Sequence, residues 1–154
     1  MNRNRRLSCL AVLLLIGGAR LLSQDRGFGL GIIIGEPTGI SFKGWLNERN
    51  AIDGGLAWSF TRNGSFHAHA DYLWHSFHVF QTQERIPLYF GIGARIKTGR
   101  YDDAQFGVRV PVGVGYLFKD APVDLFFEIA PIVDLAPKTE LEANAGLGVR
   151  IWFR

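Results

Sequence analysis

The sequence predicts an all-β fold of eight antiparallel strands in up-and-down order. Three observations carry this. Apolar residues recur at every second position in eight separate stretches. The 19 glycines are spread along the chain, many at the alternate positions between those apolar residues. Short runs of turn-forming residues separate the stretches, which favours antiparallel neighbours. No stretch keeps a helical period.

The first segment stands apart. "MNRNRRLSCLAVLLLIGGARLLSQ" places Arg3, Arg5 and Arg6 before an apolar run from Leu7 to Ile16, then small residues. This is the layout of a secretory signal peptide, expected over residues 1–23, with the barrel at 24–154. The run is too short to span a bilayer as a helix, which needs about 20 apolar residues. Cys9, the only cysteine, lies inside this segment, so the remaining chain has no thiol chemistry. Residues 24–154 keep 13 basic residues against 14 acidic, a net charge of −1. The basic pI belongs to the leader and gives no reason to expect a nucleic-acid partner.

The strands are expected at 27–35, 39–46, 51–60, 66–76, 86–97, 105–118, 123–135 and 141–153. "GEPTG" joins the first pair, with Pro37 and Gly39 as turn residues. "NERN" precedes the third strand, and Asn63-Gly64 marks a hairpin before the fourth. A longer connection, "FHVFQTQER", leads to the fifth. "TGRYDDA", "KDAP" and "APKTE" join the rest. Pro111 and Pro131 fall inside expected strands, where each removes a ladder donor, so a bulge or a strand end is expected at each. "GFGLGIIIG" is not followed by a helix start, and "GEPTG" lacks a Lys-Ser/Thr pair, so neither reads as a nucleotide loop.

One face of the strands is apolar: Phe106, Val108, Val110, Val112, Val114, Tyr116 and Phe118 in the sixth; Val123, Leu125, Phe127, Ile129, Val133 and Leu135 in the seventh. The other face collects glycine and charge. Such a chain makes either a soluble barrel with its apolar face inside, or a transmembrane barrel with that face toward lipid. Glycine decides between them. It weakens a solvent-facing strand, whereas a narrow interior crowded by long side chains needs it for space. Aromatics support the lipid reading. Phe28, Trp45, Trp74, Phe77, Phe90, Tyr116, Phe118, Trp152 and Phe153 fall near one rim, and Trp58, Phe60, Phe66 and Phe106 near the other, as two girdles would. A soluble ligand-binding barrel is the competing architecture.

These residues resemble the small eight-stranded outer-membrane barrels of the OmpA-transmembrane and OmpX type. "GIIIGEPTGISFKGWLNERNAIDGGLAWSF" and "PVGVGYLFKDAPVDLFFEIAPIVDL" are most similar to a family of small exported bacterial barrels with no assigned function. The resemblance implies the outer membrane of a double-membraned bacterium and contact with its lipids. It also implies insertion by the barrel-assembly machinery, which reads a C-terminal amphipathic strand ending in an aromatic. "LEANAGLGVRIWFR" matches that strand, with Trp152 and Phe153 as the signal and Arg154 as a departure from a terminal aromatic.

Eight inward charges form the candidate site: Lys43, Asp53, Asp71, Arg95, Arg109, Glu128, Glu142 and Arg150. Buried charges must be paired, so a plugged lumen network is expected, with a narrow ion path as the alternative. His67, His69 and Asp71 alternate on one strand face with His75 further along, a spacing that suits metal ligands. One strand alone supplies them, so they are expected to be members of the polar network, with no metal and no cofactor. Ser65 and His67 lack a visible acid and oxyanion site, so no enzyme is expected. Arg49, Arg62 and Arg100 lie in turns, placed for water or lipid head-group phosphates. The expected protein is a monomeric barrel with a structural or envelope role. Deleting residues 152–154 is expected to abolish assembled barrel, read as loss of the folded band on an unboiled detergent gel.

Overall fold

The computed structural model describes residues 27–59, 65–99 and 104–153. The expected signal peptide, the Asn63-Gly64 hairpin, Phe60, Arg62, Arg100 and Arg154 lie outside these. The described strands are β1 (Phe28–Glu36), β2 (Gly39–Trp45), β3 (Asn50–Ser59), β4 (Ser65–Ser76), β5 (Leu88–Gly99), β6 (Gln105–Arg109), β7 (Val112–Leu117), β8 (Val123–Ala136) and β9 (Glu140–Phe153). All pairings are antiparallel, and the sheet closes on itself. β9 pairs with β1, β4 with β5, and both β6 and β7 bridge β5 to β8. The nine strands therefore make eight staves, and each described strand has a partner on both sides.

The sixth stave, expected as one strand, is split in two. Its register survives the split: Arg109 faces Ile132 and Val112 faces Ile129, the same offset on either side. The break falls at Val110–Pro111, where the proline has no N–H to give. The carbonyl of Pro111 still accepts from the Gly91 amide, and that of Pro131 accepts from Val110. A residue in an antiparallel ladder points its N–H and C=O to the same side. The missing donor of Pro131 therefore faces the break. Pro131 itself stays in register against Ala143 inside β8, without the bulge or strand end expected of it. The fifth stave starts at Leu88 rather than Ile86, after the long connection 77–87. At the β1–β2 turn the left-handed backbone belongs to Gly35 (φ 146°), not Gly39. The Thr38 hydroxyl accepts from the Gly35 amide and donates to its carbonyl.

The molecule is built inside-out. Thirty large apolar side chains are exposed among the described residues, while the two largest fully buried side chains are Arg109 and Arg150. Every charged position on the expected polar face is buried or half-buried. Phe28, Trp74, Phe90, Phe118 and Phe153 stand outward near the rim that holds both ends of the described chain. Trp58, Phe66 and Phe106 stand outward near the opposite rim. Trp45 and Trp152, expected in the girdle, turn inward instead. Their parity is that of Lys43 and Arg150, and their rings stack across the barrel end at 6.2 Å. Phe77 joins them, 6.2 Å from Trp45.

An arginine at Ile92, which is 52% exposed in the middle of β5, tests the orientation of the faces. In lipid it is expected to cost about 2–4 kcal/mol in a denaturant titration of the barrel in vesicles. An unchanged midpoint would mean that this face meets water.

Candidate functional site

The lumen holds the chemistry, in three levels from the rim of Phe28 and Phe153 to the opposite mouth. The first is a cap. Trp45, Trp152 and Phe77 close the rim, with the His75 ring 4.4 Å from Trp45 and 5.2 Å from Tyr89. Lys43 lies beneath, its ammonium 4.8 Å from the Trp45 ring and 5.0 Å from that of Tyr89, where cation–π attraction operates. Lys43 Nζ is 2.6 Å from His75 Nε2, and His75 Nδ1 is 3.1 Å from the Arg49 carbonyl. A carbonyl only accepts, so Nδ1 carries the ring proton and Nε2 accepts from the lysine.

The second level is made of two guanidinium groups. Arg150 grips Asp124 with two bonds, Nε to Oδ1 at 3.2 Å and Nη2 to Oδ2 at 3.3 Å. Its Nη1 donates to Asp53 Oδ2 at 2.5 Å, and the guanidinium lies 3.9 Å over the Phe126 ring. Arg109 donates to Glu128, which also accepts from the Tyr89 hydroxyl at 3.0 Å. Arg109 Nε is 3.1 Å from Asp71 Oδ2, an ion pair without the alignment of a hydrogen bond. The third level lies near the opposite mouth. Arg95 pairs with Asp134 through two nitrogens and with Glu142 at 2.7 Å, and Lys97 reaches Glu142 at 3.5 Å. Above them opens a cup of about 500 Å³ lined by Ser65, His67, Arg95, Lys97, Glu142 and Asn144, among others. Below it, between Ile33, His69, Arg109 and Glu128, the free space falls to about 10 Å³, the room of about one water.

Seven of the eight expected charges thus join ion pairs. The eighth, Lys43, faces Asp53 in the β2–β3 register, yet among the described residues its ammonium meets His75 instead of a carboxylate. Asp124 and Asp134 were outside the expected set, although alternation put both on the inward face. They take the double contacts with Arg150 and Arg95. In the described strands the lumen cations are Lys43, Arg95, Lys97, Arg109 and Arg150. The carboxylates buried or half-buried among them are Asp53, Asp71, Asp124, Glu128, Asp134 and Glu142, and Glu36 lines the cup at the mouth. Ser65 and His67 both line the cup, and His67 Nε2 has no hydrogen-bond partner. Trp152 is buried in the cap, whereas Phe153 is exposed opposite Phe28.

The glycines make room for these groups. A Cβ at position 93 would lie 1.9 Å from Asp71 Oδ1, and one at position 113 would lie 2.3 Å from the Tyr89 ring. A barrel of eight staves is just wide enough for its side chains, so each large inward group needs a bare backbone across from it. Arg109→Ala leaves Asp71 and Glu128 buried without their cation. It is expected to cost about 3–5 kcal/mol in a denaturant titration, more than an exposed pair could. An unchanged midpoint would show that the network contributes nothing to the fold.

No family model matches the chain, and neither does any curated protein. Solved structures do. The fold is similar to that of Neisserial surface protein A, with 17% identity and a TM-score of 0.53 over 82% of this chain and 93% of that one. It is also similar to the N-terminal β-barrel domain of Pseudomonas aeruginosa OprF, with 15% identity and a TM-score of 0.56 over 82% and 95%. Closed antiparallel staves, an apolar exterior and a charged lumen accompany this likeness, and by fold the chain is a small eight-stranded β-barrel of the outer-membrane type.

Proposed function

We propose that the chain is a monomeric, non-conducting barrel of a bacterial outer membrane, with a structural or envelope role. The single observation that carries this is the filled lumen under an apolar exterior. The cap of Trp45, Trp152, Phe77 and His75 stands across one end, and the ion pairs of Arg109 and Arg150 fill the middle. An ion crossing such a lumen would have to part buried guanidinium–carboxylate pairs, each costing several kcal/mol to break. The exposed apolar side chains suit lipid as the main partner. Exposed Phe153, at the edge of β9, suits recognition by an assembly machinery. The cup opens at the mouth opposite the aromatic cap, lined by Ser65, His67, Arg95 and Lys97 among others.

Two measurements test the proposal. Membrane fractions are run unboiled and boiled on a detergent gel, and the purified barrel is reconstituted in a planar bilayer. A mobility shift in the outer-membrane fraction with a flat current baseline is the expected result. Unitary current steps would replace it with a narrow channel. A soluble protein without a shift would sink the membrane assignment altogether.

A further inference from the structure

From the geometry we infer a divalent-cation site in the lumen, formed by Asp53, His69 and Asp71 and suited to a zinc-class transition metal. Asp53 on β3 faces Asp71 on β4 directly in the register, and His69 is two residues before Asp71 on the same inward face. One ligand atom from each can be chosen so that all lie within 4.8 Å of one another. His69 Nε2 is 3.9 Å from Asp71 Oδ2. Tetrahedral ligands about 2.0–2.2 Å from a zinc ion stand about 3.3–3.5 Å apart, so small side-chain rotations close the set.

The second observation is the unmet polar capacity at this place. Asp71 is 3% exposed and neither of its oxygens accepts a hydrogen bond. His69 is 9% exposed and its Nδ1 has no partner. Buried polar atoms in native proteins are nearly always satisfied, so two adjacent residues with open lone pairs call for a ligand. Arg109 and Arg150 each approach Oδ2 of one of the two aspartates, and a carboxylate has about four lone-pair sites, so each can hold an ion beside its arginine.

The seat is shaped for these side chains. A Cβ at position 55 would fall 2.5 Å from His69 Cε1, and one at position 93 would fall 1.9 Å from Asp71 Oδ1, so glycine on each neighbouring strand is what lets them sit there. The donor set is one imidazole and two carboxylates. An imidazole suits zinc, copper or nickel, whereas calcium and magnesium favour oxygen-only shells. Three protein ligands leave a fourth position for water. His67 stands between the site and solvent. It lines the cup, and its ring is 5.4 Å from that of His69, so the mouth is the route of entry.

The test uses the folded barrel purified from membranes without a histidine tag, stripped with chelator and titrated with zinc by calorimetry. Cobalt serves as a visible reporter of tetrahedral geometry. The expected result is one ion per barrel. His69→Gln and Asp71→Asn should each weaken binding by about tenfold or more, while His67→Gln stays near wild type. The unboiled gel verifies that each variant is folded. If Asp71→Asn fails to fold, His69→Gln decides alone, because His69 holds no guanidinium in place. No binding to the folded wild-type barrel overturns the site. So does binding that survives His69→Gln, or binding lost on His67→Gln alone.

Discussion

Arg109 and Arg150 are the largest fully buried side chains among the described residues, and the rest of the barrel is arranged around them. A guanidinium taken out of water costs several kcal/mol unless carboxylates meet it with good geometry. Arg150 is met by β8 and β3, Arg109 by β4 and β8. Two of these pairs, Arg150 with Asp53 and Arg109 with Asp71, tie together staves that are not neighbours in the sheet. Ladder hydrogen bonds hold each stave to the next and say nothing about what spans the lumen. The arginines do span it, and they have reason to stay paired only if the barrel is closed.

Packing follows from that demand. A narrow barrel with two guanidinium groups, a tyrosine and several carboxylates in its middle has no space for side chains at every inward position. Glycine at 93 and 113 gives way to Asp71 and Tyr89. The cap follows in turn. At the rim the charges run out, and Lys43 is held by rings and a histidine nitrogen instead of a carboxylate. Large aromatic groups fill that end, so the two ends of the lumen differ in kind, one ringed and closed, one polar and open as a cup.

Much of this was legible in alternation alone. Period two separates the faces whatever the strand partners are, so the apolar band, the inward charges and the number of staves all follow from local pattern. Two kinds of feature did not. Trp45 and Trp152 look like girdle residues by type and by nearness to strand ends, yet parity with Lys43 and Arg150 sends them inside. The parity was present in the sequence and outweighs residue type, because a strand cannot turn one side chain to the wrong face without a bulge. Pro131 is the second kind. That a proline sits unbulged in β8 depends on its missing donor facing the break at Pro111, and no local pattern reveals which residues of two strands meet.

The row His67, His69, Asp71, His75 shows the same limit most sharply. All four share one face of β4, and the sequence treats them alike. Their neighbours across the sheet and the lumen do not. His67 opens on the cup. His69 and Asp71 meet Asp53, which only the β3–β4 register could place beside them. His75 meets Lys43 and the Arg49 carbonyl at the cap. Alternation assigns a side chain to the lumen, but register assigns it a partner, and in a lumen this crowded the partner determines the chemistry. A search for ligands along one strand therefore finds half of any site that such a barrel builds, because the other half arrives from the adjacent stave.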